Sequence, residues 1–521
     1  MKYSLFFIML FTICACAKKT SDQRPNIIIV MVDDMGFSDI GCYGSEIATP
    51  HIDSLGYNGI RFTQFYNASR CCPTRASLLT GQYPHQAGMG DMVDTRGRSR
   101  EPGPYQGWLS RNTVTIAEVL KRVGYNTYMS GKWHVGEDSL DWPLQRGFDK
   151  YFGLISGANS YFEILPNRKI VSQNTLLALL PDNFYMTHAL TDSARKFVAQ
   201  GLEQDKPFFL YLAYTAPHWP LHATHDKMEM YKGKYLEGWD SVRNRRHRKQ
   251  IELGLFEKPV DLSPRDEVVP DWKVVDNKES WDLKMAAYAA MLSSVDEGIG
   301  RIVQLLRDAG QLDNTMIMFL SDNGACHETL TGRMDNDLKD FSAVAKTIPV
   351  GQKGSYVAYG KEWANACNTP FRLYKHWTHE GGINTPFIIH YPNVIRRGRI
   401  VHETAHLIDI MPTVLELSGG NYPKDFEGNQ VHPVEGTSLV PLLNGIGWKG
   451  HEMLFWEHEK SKAVRKGKWK LVSEPDKPWE LYDMHEDRSE LHNVSLMYPD
   501  TVHVMEVAYN EWASRVGVKL R

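Results

Sequence analysis

Two acid pairs are the first sign of chemistry in this chain, because each closes a run of residues that belongs inside a sheet. Asp33-Asp34 follows the apolar run Asn26–Val32, and Asp322-Asn323 follows Thr315–Leu320. Carboxylates and an amide offer only oxygen donors, which suits a hard cation. A flexible cage with several carboxylates favours Ca²⁺ over Mg²⁺, which demands stricter octahedral geometry. Alone, either pair also fits a turn or a helix N-cap; two such pairs after two matching runs point to metal. Three more runs adjoin groups that bind anions or move protons. Tyr125–Met129 leads to Lys132 and His134, Pro207–Ala213 leads to His218, and Lys375 precedes Thr385–His390.

The elements that must position these groups follow from the same runs. Continuous apolar stretches rich in β-branched residues predict strands covered on both faces, as in a mostly parallel sheet. In an open α/β sheet, ligands bind beyond the carboxyl ends of the strands, so polar residues just after buried strands converge. A helix is expected from about Leu283 to Ala309, closed by Gly310. A Gly/Pro-rich passage from Gly419 through Gly436 precedes a different texture. Met453–Trp456, Ser461–Lys466, Trp469–Val472 and Glu480–Tyr482 read as short strands of a small antiparallel sheet, with a helix over Val502–Val516 packed on it.

The most specific order lies in Ser69-Arg70-Cys71-Cys72-Pro73-Thr74-Arg75-Ala76-Ser77-Leu78-Leu79-Thr80-Gly81. Pattern alone predicts a loop entering a helix that buries Ala76, Leu78 and Leu79, with Cys71 a small core residue. The order resembles the maturation signature of the sulfatase family, Cys-x-Pro-x-Arg followed by a helix ending in Thr-Gly. The resemblance extends over nearly the whole chain after its leader and is to the formylglycine-dependent, arylsulfatase-type branch.

That resemblance implies an alkaline-phosphatase-like α/β fold. Residues 24–450 would hold a large mixed, mostly parallel sheet flanked by helices, and residues 451–521 a smaller C-terminal antiparallel-sheet subdomain. It also implies that a formylglycine-generating or anaerobic sulfatase-maturing enzyme oxidises Cys71 to formylglycine. Of the two geminal hydroxyls on the hydrate, one attacks the sulfate ester and the other later expels the product. By the same resemblance, Asp33, Asp34, Asp322, Asn323 and modified Cys71 bind one Ca²⁺. Arg75 and Lys132 orient the hydrate and neutralise developing charge. Asp322 accepts the attacking hydroxyl's proton. His218 and Lys375 bind sulfate and help protonate the departing oxygen, and His134 takes the proton that regenerates the aldehyde.

At 521 residues and 42% hydrophobic content, the chain can bury a large core and is expected to contain more than one structural unit. A formal net charge of -3 argues against a general polyanion binder, and nucleic acid is not indicated. The basic cluster Arg243–Lys249 reads as a solvated face, with steering of an anionic polymer as its alternative. Residues 1–16 read as an export leader. Lys2 precedes the apolar stretch Leu5–Ile13, too short for a membrane span and suited to a signal peptide. Ile13-Cys14-Ala15-Cys16 resembles a bacterial lipobox with Cys16 lipidated, although Ala15-Cys16-Ala17 also fits ordinary cleavage. The expected location is the periplasm or outer membrane of a Gram-negative bacterium. After Cys14, Cys16 and Cys71 are assigned, Cys42, Cys72, Cys326 and Cys367 remain, with pairing left open.

The expected substrate is a sulfated carbohydrate. An exported enzyme meets glycans, and Trp133, Trp219, Trp363, Trp377, His222 and Asn368 lie near the catalytic motifs in sequence. Aromatic faces suit sugar rings, while imidazole and amide groups read hydroxyls, with His222 expected at the pocket mouth. The alternatives are an aryl sulfate, a phosphate or phosphonate ester handled on the same fold, and a non-catalytic glycan-binding lipoprotein. His218, His222 and His225 have a spacing that zinc could use, but Pro220 interrupts any helix that would align them.

Overall fold

Alternate residues of the first strand enter opposite halves of the core. Ile27, Ile29 and Met31 pack with Leu78, Ile116 and Val414 on one side, and Ile28, Val30 and Val32 pack with Leu190, Met285 and Leu292 on the other. Burial on both faces is why this stretch carries no polar residue between Asn26 and Asp33. The computed structural model describes residues 24–330 and 347–519. The stretch read as an export leader, with Cys14 and Cys16, lies outside them. No helix among the described residues is long and apolar enough to cross a membrane.

The large sheet contains eleven strands: β1 (Asn26–Val32), β2 (Ile60–Tyr66), β3 (Asn126–Gly131), β4 (Lys150–Leu154), β5 (Ile170–Ser172), β6 (Thr175–Leu176), β7 (Phe208–Ala213), β8 (Thr315–Ser321), β9 (Asn384–His390), β10 (Arg399–Val401) and β11 (Ala405–His406). Their order is β10-β2-β9-β8-β1-β7-β3-β4-β5-β6, with β11 also on β2. The central β8-β1-β7-β3-β4 block is parallel. β9 runs antiparallel to both β8 and β2. This reversal matters for the site. β2 regains the direction of β8, so Tyr66 delivers the Cys71 segment to the edge where β1, β3, β7 and β8 end. The segment entering β9 reaches the same edge and brings Lys375.

The 31-residue helix Lys278–Asp308 covers one face and begins five positions before the apolar pattern that predicts it. Asn277 precedes it in a left-handed conformation, which the following periodicity does not reveal. A two-stranded hairpin, β12 (Asp425–Phe426) and β13 (Asn429–Gln430), occupies the Gly/Pro-rich passage. The C-terminal sheet is a simple antiparallel meander of β14 (Met453–His458), β15 (Ser461–Lys466), β16 (Trp469–Ser473) and β17 (Glu480–Asp483). Helix Pro499–Val516 packs against β15 and β16 and starts at a proline, a residue that suits a first turn but carries no periodic signal.

This small sheet braces the edge where β1, β3, β7 and β8 end. Trp456 Nε1 donates to the Asn67 carbonyl at 2.8 Å, just before the Cys71 helix. Lys470 lies 2.8 Å from Glu380 and 2.7 Å from Glu490, and all three are buried. Glu380 opens the short helix Glu380–Ile383 that leads into β9. The ion cluster therefore locks the C-terminal meander onto the segment carrying Lys375.

Candidate active site

Cys71 is the first residue of helix Cys71–Thr80, and all ten residues of that helix are buried. Gly81 ends it with φ +70 and its N–H bonded to the Ser77 carbonyl at 2.9 Å. A side chain there would strike Met411 at 2.6 Å, so the terminal glycine of the motif is needed both for its conformation and for packing. The helix N-terminus presents its partial positive charge at Cys71, a natural place for an anion. Burial pushes the Cys71 thiol well above its ordinary range, against the pull of Lys132 and Lys375. The unmodified residue is thus a neutral thiol, a poor nucleophile.

Strand ends supply the groups around it. Asp33, Asp34, Asp322 and Cys71 place ligand atoms within 4.8 Å of one another. Asp34 has φ 68, a left-handed conformation that Asp tolerates better than most residues, and its N–H bonds Asp322 Oδ1 at 3.2 Å. Asn323 Nδ2 donates to Asp34 Oδ1 at 2.6 Å. Arg75 donates to Asp322 Oδ2 from Nη2 at 2.7 Å and to the Lys132 carbonyl from Nη1 at 3.0 Å. Lys132 Nζ donates to Asp33 Oδ2 at 2.6 Å. Lys375 Nζ lies 2.9 Å from Asp34 and 3.5 Å from His218 Nε2.

Charge balance tells what this cluster can bind. Three carboxylates (Asp33, Asp34, Asp322) face three buried cations (Arg75, Lys132, Lys375), which leaves the group near neutrality. Burial raises the Asp34 carboxyl, but Lys375 and His218 outweigh it and hold the group well below the usual range. Asp322 is pushed upward by burial and by Asp33 despite Arg75 and Lys132. Two oxygens, Asp33 Oδ1 and Asn323 Oδ1, are buried with no hydrogen-bond partner. Unsatisfied buried acceptors beside carboxylates are what a cation-binding cage requires, so the donor set fits a hard divalent ion held by Asp33, Asp34, Asp322 and Asn323. Such an ion would turn the neutral cluster positive and receptive to an anionic ester.

The cluster opens into a cavity of about 920 Å³, lined by Cys71, His134, His218, Trp219, Glu328 and Lys375 among others. His218 Nδ1 lies 2.6 Å from the Trp219 carbonyl, an acceptor only, so Nδ1 carries the proton and the neutral ring leaves Nε2 as an acceptor. Burial, reinforced by Lys375 and Lys132, lowers His218 to about 4 against the pull of Asp34. His134 sits at φ 54 with Nε2 3.4 Å from Cys72 Sγ and Nδ1 without a partner. Gly157 makes room for it, since a Cβ there would lie 2.6 Å from His134 Nε2. The structure therefore brings together Cys71, Arg75, Lys132, His134, His218, Asp322 and Lys375 with the oxygen donors.

Two expected substrate contacts are corrected. His222 is buried away from the cavity mouth, with Nε2 2.7 Å from the Ser355 carbonyl and Nδ1 3.3 Å from the Tyr161 N–H. Asn368 accepts from the Ala325 N–H at 3.0 Å and donates to the Leu373 carbonyl at 2.8 Å, so its amide ties two loops together. Both side chains satisfy backbone groups and do not line the cavity. Trp133 and Trp363 are likewise fully buried, their indole N–H groups spent on the carbonyls of Asp141 and Trp281. Trp219 alone among the named tryptophans lines the cavity. The basic run is not a solvated patch throughout. Within helix Trp239–Glu252, Arg246 is buried against Asp39 and Glu46, and Arg243 against the Ser263 carbonyl.

Sequence reasoning missed Arg70 and Glu328. Glu328 lies 3.0 Å from Arg70, accepts from Trp219 Nε1 at 3.0 Å and approaches Lys375 at 3.7 Å. It follows β8 beyond the Asp322-Asn323 pair, so the strand-end rule applied a few residues further would have found it. Cys42, Cys72, Cys326 and Cys367 are buried free thiols.

A family model described as Sulfatase matches residues 25–420, and one described as N-sulphoglucosamine sulphohydrolase, C-terminal, matches residues 371–508. The chain is 34% identical to an uncharacterized sulfatase of Schizosaccharomyces pombe, over 96% of this chain and 95% of that protein. It is 34% identical to an arylsulfatase of Klebsiella aerogenes, over 82% of this chain and 93% of that one. Among solved structures, Ps i-CgsB in complex with k-i-k-neocarrahexaose superposes with a TM-score of 0.70 at 25% identity, covering 94% of this chain and 93% of that chain.

Proposed function

We propose, for a chain that belongs to the sulfatase family of sulfuric ester hydrolases, that it releases sulfate from a sulfated carbohydrate through a formylglycine made from Cys71, with Ca²⁺ held by Asp33, Asp34, Asp322 and Asn323. One observation carries the reading: three cations and three carboxylates close around the first turn of the Cys71 helix while Asp33 Oδ1 and Asn323 Oδ1 remain unpartnered. The aldehyde hydrate supplies a hydroxyl nucleophile where the buried thiol would be inert, and the divalent ion supplies positive charge toward the sulfate oxygens.

The chain's own groups account for the rest. Lys375 Nζ and His218 Nε2 face each other at the cavity floor, where the ammonium donates to sulfate oxygens and His218 joins it once Nε2 is protonated. On substrate cleavage they stand where negative charge builds on the leaving oxygen; Lys375 Nζ carries a proton to give, and His218 Nε2, unprotonated in the free enzyme, gives one only after taking one up. Arg75 and Lys132 hold Asp322 and Asp33 in fixed orientation, which keeps the site preorganised. Asp322 Oδ1 and Oδ2 receive hydrogen bonds from Asp34 N–H and Arg75, and this carboxylate is the group assigned to take the nucleophile's proton. His134, which lines the cavity and whose buried Nδ1 has no hydrogen-bond partner, is assigned the proton movement that restores Cys71's modified side chain.

Carbohydrate specificity draws support from the wide cavity, from Trp219 on its wall and from the oligosaccharide named with the Ps i-CgsB structure. Export through the leader, with a lipid anchor on Cys16 in a Gram-negative envelope, is part of the same reading and is supported by Lys2, the apolar stretch and the lipobox-like Ile13–Cys16. The test is sulfate release from a panel of defined sulfated sugars and small aryl sulfates, with peptide mass spectrometry of Cys71 on the same preparation. Turnover of sugar sulfates by protein carrying the aldehyde is expected. Aryl sulfates cleaved with every sugar sulfate inert would remove the carbohydrate assignment, and full activity with an unmodified thiol would remove the formylglycine mechanism.

A further inference from the structure

A second group of side chains that could hold a metal ion lies outside the acidic cluster. His376, His458 and Glu459 place ligand atoms within 4.8 Å of one another, and the functional reading above uses none of them. His376 Nδ1 is 3.1 Å from Glu459 Oε2, and His458 Nε2 is 3.7 Å from Glu459 Oε1. In a tetrahedral zinc site with bonds of about 2.0 to 2.1 Å, neighbouring donors lie about 3.3 Å apart. The two distances, each to a different oxygen of the one carboxylate, lie on either side of that value. The imidazole planes cross at 80° with centroids 5.5 Å apart, so the rings do not stack and their nitrogens can approach a common point.

An independent observation points to a ligand. His458 is 0% exposed, and neither of its ring nitrogens makes a hydrogen bond. Burial, Arg70 and His376 push the His458 imidazole well below its ordinary range; the Gly90 carbonyl works the other way, yet no hydrogen bond of ordinary geometry is completed to it. A carbonyl in that place is the kind of partner a metal-bound imidazole uses for its second nitrogen. Buried imidazoles are normally satisfied, and this one is satisfied by no protein group.

The surrounding charges permit a cation. Arg70 opposes one, but its guanidinium is engaged with Glu328 at 3.0 Å. Burial raises the Glu459 carboxyl, with Arg70 opposing and Asp91, Glu457 and Glu328 reinforcing it; of the cations on the adjoining cavity, Lys460 is paired with Asp476 and Arg100 lies 3.8 Å from Asp91, while Lys519 also borders it. Glu459 is exposed and borders a second cavity of about 400 Å³, which gives an ion a route in and a place for water as a further ligand. Two imidazoles and one carboxylate form a borderline donor set, suited to zinc and poorly suited to calcium.

We propose that His376, His458 and Glu459 form a second metal site, selective for Zn²⁺ or a similar divalent transition ion, that fastens the β14–β15 turn to the segment carrying Lys375. His376 directly follows Lys375, and its N–H bonds the Ser69 carbonyl at 2.8 Å, so the ion would join three pieces of the catalytic wall: the Cys71 loop, the Lys375 loop and the C-terminal sheet.

The experiment is equilibrium dialysis of the full exported protein against Zn²⁺ with Ca²⁺ saturating, which keeps the acidic cluster filled. Wild type is expected to retain one zinc per chain that His376→Ala and Glu459→Gln both lose, and Zn²⁺ is expected to raise the Tm of wild type but not of these variants. Both positions are partly or wholly exposed, and circular dichroism verifies their fold. Asp322→Ala should keep this zinc, which separates the site from the calcium reading. Co²⁺ should give visible absorption of a four- or five-coordinate ion in wild type only. Absence of zinc in wild type, or equal zinc in wild type and both folded variants, overturns the proposal.

Discussion

Arg75 spends two of its N–H groups on one oxygen of Asp322: Nη2 lies 2.7 Å and Nε 3.2 Å from Oδ2. Asp322 Oδ1 is thereby left toward Asp34 and the acidic cluster. A lysine carries the same charge but only a point donor on a flexible stem. Arg75→Lys should therefore lower kcat/KM by about 10²-fold, the scale seen when one preorganised donor is lost, with little change in KM. Steady-state kinetics on a protein whose circular dichroism is unchanged would test it, and retention of most activity would show that charge alone suffices.

The unpartnered oxygens lead to a metal prediction. Asn323→Ala removes Oδ1 from the cage and also removes the amide that donates to Asp34. Calcium affinity should fall by more than tenfold while the Asp carboxylates remain. Asp322→Ala should lose metal and activity together, and chelation of wild type should abolish turnover until Ca²⁺ is restored. Metal analysis beside the activity assay decides the matter, since undiminished stoichiometric calcium in Asp322→Ala would exclude the proposed ligand set.

A stability prediction concerns Lys470, buried between Glu380 and Glu490. Lys470→Ala leaves two buried carboxylates without their shared cation and should cost about 3 to 5 kcal/mol. Urea unfolding at neutral pH measures it. The same cluster has a pH signature. Burial raises Glu380, but Lys470 and Arg488 outweigh it and hold the carboxyl down to about 2. A carboxyl depressed in the folded state contributes stability above its unfolded pKa of about 4.5 and loses it as pH falls toward 2. The urea midpoint of wild type should fall across that window, and Lys470→Ala should show a smaller fall.

Trp219 should separate binding from packing. It lines the cavity and donates to Glu328, whereas Trp133 and Trp363 are enclosed. Trp219→Ala should raise KM for sugar sulfates by about five- to tenfold, the value of one aromatic contact, in protein that remains folded by circular dichroism. Trp363→Ala should lower Tm first. Equal KM in wild type and Trp219→Ala would remove this residue from the substrate surface.

The sequence by itself determined five strands of the large sheet, β1, β3, β7, β8 and β9, and most of what stands at their ends. Two-sided burial forces continuous apolar runs such as Asn26–Val32 and Thr315–Leu320, and polar groups directly after them have little choice but to meet at one edge. The order around Cys71 was equally legible, because the helix, its glycine terminus and Arg75 are all local. Tertiary structure decided where side chains near those motifs point. His222 and Trp133 are neighbours of site residues in sequence, yet both turn into the core to satisfy backbone carbonyls. Arg70 and Glu328, and likewise His376, His458 and Glu459, come from segments far apart in the chain. The strand-end rule reaches Glu328 a few residues past β8, but no local pattern names its partners or marks the others, because those partners are supplied by the reversal of β9 and by the docking of the C-terminal meander, and contact between distant segments exists only once the sheet is assembled.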